Sequence, residues 1–360
     1  MYIHQRKDWP KFTWNAEVIS TQLGAVRHRQ GRILGQMQGL GFRLQEETML
    51  KTLTMDVIKS SEIEGELLNP EQVRSSIARR LGIEIAGTVP AERHVEGIVE
   101  MMLDATQKFN TLLTEERLYD WHAALFPTGR SGMFKIKVGV WRDGGMQVTS
   151  GAMGKETVHF DAPDFEKIPK EMKSFLKWME TERNLDPVLK AAVAHLWFVT
   201  IHPFDDGNGR IARAIADLQL ARADESTQRF YSMSAQIQAE RNAYYDILET
   251  TQKGDLDITP WLEWFLDTLM RSMDQTDETI AMTLARTKFW ETHRHTDLNA
   301  RQHKVLGLLL EDFFGKLHVS KYAKITKTSS DTALRDLKDL MAKGILEQQG
   351  SGRSTFYQLR

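Results

Sequence analysis

The sequence predicts a mainly α-helical protein built from more than one unit. Three observations carry that expectation. Apolar residues recur at helical spacing through most of the 360 residues. Helix starts and stops are marked by cap and breaker pairs such as Asp186-Pro187 and Asn69-Pro70. One stretch, residues 131–162, is instead rich in glycine and β-branched residues and suits a short hairpin between helices. At this length two or three units are the better expectation.

Residues 1–80 read as an N-terminal helical region, with Trp9, Phe12 and Trp14 clustered near its start. Its helix-rich segment "QEETMLKTLTMDVIKSSEIEGELL" stops around Gly65, ahead of Asn69-Pro70. Residues 81–285 form the body. After the hairpin stretch, "LDPVLKAAVAHLWFVTIHPF" has Asp186 as a cap and Pro187 at the first helical position. Its interior is almost wholly apolar, so a buried central helix is expected, ended just past Ile201 by Pro203. Further helices follow at "RIARAIADLQLARA", "SAQIQAERNAYYDILETTQKG" and "ITPWLEWFLDTLMRSMDQ". Residues 286–300 read as a linker, and residues 301–360 as a small terminal module.

Composition narrows the function classes. Hydrophobic residues make up 41% and charged residues 27%, as in ordinary soluble globular proteins. No apolar run approaches the ~18 residues that span a bilayer, and the start lacks a signal-peptide profile. Cysteine is absent, which excludes disulfides and thiolate metal sites. A cytoplasmic location without membrane contact is expected. Charge is uneven: residues 301–360 carry 11 Lys+Arg against 6 Asp+Glu, and the first 300 carry 36 against 43. A basic module on an acidic body points to an anionic partner for the module.

"IHPFDDGNGRIAR", residues 201–213, concentrates the chemistry. Its layout is helix, turn, Gly-Asn-Gly, helix. A helix N-terminus offers unpaired N–H groups and partial positive charge to an anion. Gly207 and Gly209 allow close backbone approach to a phosphate, and Asn208 adds a side-chain donor. Arg210 and Arg213, three apart on the next helix, suit phosphate oxygens. Asp206 would repel bare phosphate but makes sense holding a Mg²⁺ that bridges phosphates. His202 is placed to take a proton from an attacking hydroxyl. Together these parts describe phosphoryl or nucleotidyl transfer.

"HPFDDGNGRIAR" resembles the motif of the Fic family, His-Pro-Phe-x-(Asp/Glu)-Gly-Asn-Gly-Arg-x-x-Arg, over a body of roughly residues 50–270. The resemblance implies the Fic fold, a helical bundle with a β-hairpin flap. It implies transfer of AMP from ATP to a Ser, Thr or Tyr hydroxyl of a protein target. His202 is then the base, Asp206 the Mg²⁺ ligand, and Gly207, Asn208, Gly209 and Arg210 the phosphate cradle. Arg213 meets the terminal phosphate.

"SSEIEGE", residues 60–66, matches the family's inhibitory pattern (Ser/Thr)-x-x-x-Glu-(Gly/Asn) through Ser60, Glu64 and Gly65. Ser60 and Glu64, four apart, share one helix face. A Glu64 carboxylate forming a bidentate pair with Arg213 would take the place of the γ-phosphate and misalign ATP. Glu62 and Glu66 are neighbours with equal claim on pattern. The inhibitory helix, about residues 50–66, lies N-terminal to the core.

Around "GKETVHFDAP", Thr157, Val158, His159 and Phe160 are the flap residues against which an extended target could pair. Tyr244, Tyr245 and Gln252 are the candidates for the adenine base, with one tyrosine expected in the core and Gln252 standing where the family often has asparagine. The terminal module reads as three helices followed by a two-strand wing at Gly350-Ser351-Gly352, and resembles a winged helix-turn-helix. Thr328, Ser329, Ser330, Arg335 and the wing residue Arg353 could then face DNA, although Asp331, Asp336 and Asp339 dilute the positive face. The expected function is an autoinhibited protein adenylyltransferase using ATP and Mg²⁺, with a homodimer as the assembly the resemblance implies. A DNA-binding regulator with a nucleotide-sensing core, and an enzyme that removes AMP from its target, are the alternatives.

Overall fold

Asp186 opens the central helix as expected. In the computed structural model its carboxylate accepts the Val188 N–H at 2.8 Å, Pro187 takes the first position, and α7 runs Pro187–Ile201. The model describes the chain except for residues 40, 86, 152–156, 311–315 and 353–354, and except for the side chains at 43, 278, 279 and 283. Arg353, residues 154–156 of the flap stretch and the end of the helix expected from residue 301 lie outside the described residues.

The chain divides into two units, Met1–Asp277 and Glu278–Arg360. In the first, α1 (Ala16–Gln38), α2 (Phe42–Ile63), α3 (Pro70–Leu81), α4 (Arg93–Gln107) and α5 (Glu115–Leu125) precede the strands. After α6 (Ile168–Thr181) and α7 come α8 (Asn208–Asp224), α9 (Met233–Ala239), α10 (Arg241–Gln252) and the first part of α11 (Thr259–Thr292), a helix that runs through the boundary between the units. Every α7 residue from Val188 to Ile201 is buried, as its apolar run requires. The strands are more divided than expected. Instead of one hairpin there are two antiparallel pairs, β1 (Arg130–Ser131) with β2 (Phe134–Lys135), and β3 (Gln147–Ser150) with β4 (Thr157–Asp161).

The first fifteen residues are not helical beyond a single 3₁₀ turn, Ile3–Gln5. Their polar groups bond to a distant segment instead. Arg6 donates twice to the Gly254 carbonyl, and Thr13 N–H donates to Leu256 O at 2.8 Å. Trp9 and Phe12 pack edge-on against Trp197 of α7.

Helix α11 reaches Thr292, so only 293–299 of the expected linker is non-helical. No glycine or proline interrupts residues 261–292, so nothing local stops the helix. The second unit then holds α12 (Ala300–Leu309), α13 (Val319–Thr326), α14 (Ser330–Ala342), β5 (Leu346–Gln349) and β6 (Phe356–Leu359). Its core gathers Leu306, Tyr322, Leu337, Leu340, Leu346 and Tyr357. Among the described residues no helix is long and apolar enough to cross a membrane.

Candidate active site

The turn between α7 and α8 is built on two left-handed residues. His202 closes α7 at φ 51°, and Gly207 opens α8 at φ 78°. Gly207 also has no room for a side chain, since a Cβ would press on Phe126 and Leu125. Asn208 ties the loop together. Its Oδ1 accepts from Phe204 N–H at 3.0 Å, and its Nδ2 donates to Phe204 O at 2.8 Å. The amide is buried and satisfies the Phe204 backbone groups of the loop.

His202 is half-buried, with Nδ1 3.1 Å from the Val199 carbonyl. A carbonyl only accepts, so Nδ1 carries the proton and Nε2 is left as the basic nitrogen. Burial lowers the His202 pKa below its ordinary value, which keeps the ring neutral at neutral pH. Its carbonyl is held by Arg142, which the sequence reading missed. Arg142 Nε donates to His202 O at 2.8 Å, Nη1 to Gly144 O at 2.6 Å and Nη2 to Pro163 O at 2.5 Å. One guanidinium therefore joins the catalytic turn to both chain segments that lead into β3 and out of β4. Nothing in "VWRDGG" marks it, because all three acceptors are backbone atoms.

The phosphate cradle at the start of α8 faces protein carboxylates. Helix α2 ends at Glu64, where Gly65 at φ 83° turns the chain and Glu66 N–H returns to Ser61 O at 3.0 Å. A Cβ on Gly209 would overlap Glu64 Oε1, so the carboxylate rests directly on the first turn of α8. There the negative C-terminal end of α2 meets the positive N-terminal end of α8. Arg213 donates through Nη2 to Glu64 Oε1 at 2.8 Å, and through Nε and Nη2 to the Ser60 hydroxyl and carbonyl at 3.0 and 2.9 Å. The pair is therefore not bidentate as expected: Glu64 meets Nη2 alone, and Ser60 takes the Nε side of the guanidinium. Nη1 of Arg213 is buried without a partner. Burial opposes the charge on Arg213, yet Glu64 and its neighbours hold its pKa above the ordinary value.

The neighbouring acids separate in the fold. Glu62 pairs with Lys59 at 2.6 Å, whereas Glu66 reaches Arg210 Nη1 at 2.7 Å, and the Arg210 guanidinium lies 5.1 Å over the Phe126 ring. Both cradle arginines are thus met by carboxylates of one short segment. Asp206 accepts Gly207 N–H at 2.6 Å through Oδ1 and the Ser131 hydroxyl through Oδ2. A cleft of about 810 Å³ opens on this cluster, lined by Glu64, Glu66, Asp206, Arg210, Arg130 and Ser131 among others. Among the described residues no group of three His, Asp or Glu side chains could hold a metal by itself.

The base candidates fare unevenly. Tyr244 is buried with its hydroxyl 2.9 Å from His195 Nε2, and Gln252 is buried with its amide on Thr200 Oγ1 at 3.2 Å. Both side chains are thus bonded within the core, and Tyr244 is the tyrosine of the pair that was expected there. Tyr245 keeps an exposed ring, and its hydroxyl donates to Ile63 O at 3.3 Å beside Arg241, which donates to the same carbonyl at 2.7 Å. These two residues cap the end of α2 just ahead of Glu64. In the flap, Thr157 and Val158 are exposed, His159 lies between Ser150 Oγ and Glu249 at 2.6 Å each, and Phe160 is buried against Tyr2 and His4. Phe160 anchors the hairpin.

Comparison with known proteins agrees with this geometry. Residues 112–220 match the Fic/DOC family, and residues 2–83 match a domain of unknown function, DUF4172. Over 105 residues, 29% of the chain, it is 35% identical to the protein adenylyltransferase Fic of Culex quinquefasciatus and 34% identical to that of Drosophila melanogaster. These matches span 19% and 20% of those longer proteins. Among solved structures, a Fic family protein from Desulfovibrio desulfuricans G20 superposes over 98% of both chains with a TM-score of 0.57 at 22% identity. Fic-1 (aa134–508) from C. elegans covers 74% of both with a TM-score of 0.53 at 21% identity. At these identities the superpositions establish the fold.

Proposed function

The chain carries a Fic/DOC domain, and on that premise we propose that it is an autoinhibited protein adenylyltransferase, moving AMP from ATP to a hydroxyl of a protein target. The observation that carries the reading is a protein anion already seated where a phosphate would go: the Glu64 carboxylate lies on Gly209 and holds Arg213. A helix N-terminus with paired arginines selects anions, and a carboxylate there blocks them.

With Glu64 withdrawn, polyphosphate would meet the first-turn N–H groups of α8, Arg210 and Arg213. His202 Nε2 accepts the proton of the target hydroxyl as its oxygen attacks the α-phosphorus. The bond to the bridging oxygen breaks, and pyrophosphate leaves with the electron pair. Asp206 is the residue that would hold a Mg²⁺, whose charge would offset that of the phosphates. The exposed edge at Thr157 and Val158 is where a target strand would pair. We assign residues 1–80 to the inhibitory region, 81–285 to the catalytic core and 301–360 to a winged helix.

The test compares wild type with Glu64→Gly, using ATP labelled at the α-phosphate and mass spectrometry of the products. At least about tenfold faster formation of an AMP adduct on a hydroxyl side chain is expected from the variant. Equal rates would remove the brake. Absence of adduct from a variant that binds ATP would remove the transferase reading.

A further inference from the structure

One cluster on the β3–β4 hairpin lies outside the transfer chemistry. Ser150 ends β3, His159 lies in β4, and Glu249 sits in the last turn of α10. His159 Nε2 is 2.6 Å from Ser150 Oγ, and its Nδ1 is 2.6 Å from Glu249 Oε2. The other Glu249 oxygen meets the Lys253 ammonium. Lys253, and after it His159, hold the Glu249 carboxyl below its ordinary pKa, so it is ionised at neutral pH.

The strand register explains how two hairpin residues come to meet. Gln147 pairs with Asp161 and Val148 with Phe160, but the register then shifts, so that Thr149 pairs with Val158 and Ser150 with Thr157. In an unbroken register His159 would stand opposite Thr149, on the other face from Ser150. The bulge leaves His159 without a cross-strand partner and turns it to Ser150 and α10.

Proton positions follow from these partners. An ionised carboxylate only accepts, so Nδ1 carries the imidazole proton and Nε2 keeps its lone pair. The Ser150 hydroxyl therefore donates to Nε2, and its oxygen lone pairs stay free. Ser150 is exposed, and the His159 and Glu249 side chains are 32% and 33% exposed, so a small molecule can reach the hydroxyl.

We propose that Ser150 is a nucleophile activated by His159, with Glu249 orienting the imidazole, and that this second reactive centre takes acyl groups from activated esters. Ser150 Oγ attacks the carbonyl carbon while His159 Nε2 takes its proton. A bond forms from Oγ to that carbon, and the bond to the leaving oxygen breaks. The leaving oxygen keeps the electron pair and recovers the proton from Nε2. Water then hydrolyses the Ser150 ester along the same proton path and releases the carboxylic acid. The centre uses neither His202 nor ATP, so it stands or falls apart from the transferase reading.

The test treats the full chain with an alkyl fluorophosphonate and locates the adduct by mass spectrometry of its peptides. Ser150 Oγ displaces fluoride from phosphorus, and its proton passes to His159 Nε2. Ser174, an exposed serine of α6 whose hydroxyl donates to Lys170 O at 3.0 Å, marks the background rate. General-base assistance is worth roughly 10²–10⁴, so Ser150 should react at least about 100-fold faster than Ser174. His159→Ala should bring Ser150 down to the background, and Glu249→Gln should slow it at least about tenfold. The rate should fall in acid, where an imidazolium has no lone pair for the proton. Acetylation by p-nitrophenyl acetate should rank the variants in the same order. Labelling of Ser150 no faster than of Ser174, an unchanged rate in His159→Ala, or a rate flat with pH would overturn the proposal.

Discussion

The starts of α8 and α14 make an instructive pair. Both are helix N-termini with cations nearby, yet their cations have opposite fates. At α8 the arginines are buried and already hold carboxylates of the same chain, Glu66 on Arg210 and Glu64 on Arg213. At α14 the nearby carboxylates are occupied elsewhere, and lysines and an arginine stand in solvent. The first set of cations is neutralised within the chain, whereas the second stands exposed. Burial explains the choice of residue: a buried cation needs a fixed, hydrogen-bonded partner, and the planar guanidinium provides for one.

The sharpest way to break this contrast is to disarm α8 and ask what remains. In the Glu64→Gly background, His202→Ala is expected to cut adduct formation by roughly 10²–10⁴, the usual worth of a general base. ATP binding, followed by calorimetry, should persist. Residual activity within a few-fold of the parent would mean that another group takes the proton.

Next in size is Arg142→Lys in the same background. A lysine cannot hold three carbonyls in one plane, so the His202 turn should lose its placement. A drop of about 10- to 100-fold in kcat is expected, with a much smaller change in KM for ATP. If KM rose and kcat held, Arg142 would be a ligand contact and not a positioning residue.

The smallest effect concerns Glu66. Glu66→Gln in an otherwise wild-type chain should raise basal adduct formation only about two- to five-fold, since a part-exposed ion pair is weak. Combined with Glu64→Gly it should add little further. A Glu66 variant as active as Glu64→Gly would move the main latch from Arg213 to Arg210.

Much of this was legible in the chain itself, at particular places. Asp186-Pro187 and Pro203 bounded α7 correctly because caps and prolines act within a turn of where they stand. Ser60 and Glu64 share one helix face as their spacing suggested, and both meet Arg213 as the family resemblance implied. The misses share a cause. Helix continuity in α11 and the split between α9 and α10 depend on weak local preferences that packing overrides. Asn208 and Gln252 carry polar groups that suit a ligand, but burial directed both to protein partners.

Local chemistry thus determined the helical class, the left-handed Gly207 of the α8 turn and the gathering of imidazole, carboxylates and guanidiniums in thirteen residues. These follow from dihedral limits and hydrogen bonds that close within a few residues. Only the tertiary structure decided which acid meets which arginine. Glu66 and Arg210 lie 144 residues apart, and Arg142 reaches the His202 carbonyl across 60. Such pairings depend on where whole helices come to rest, and packing, unlike capping, leaves no mark in the neighbouring sequence.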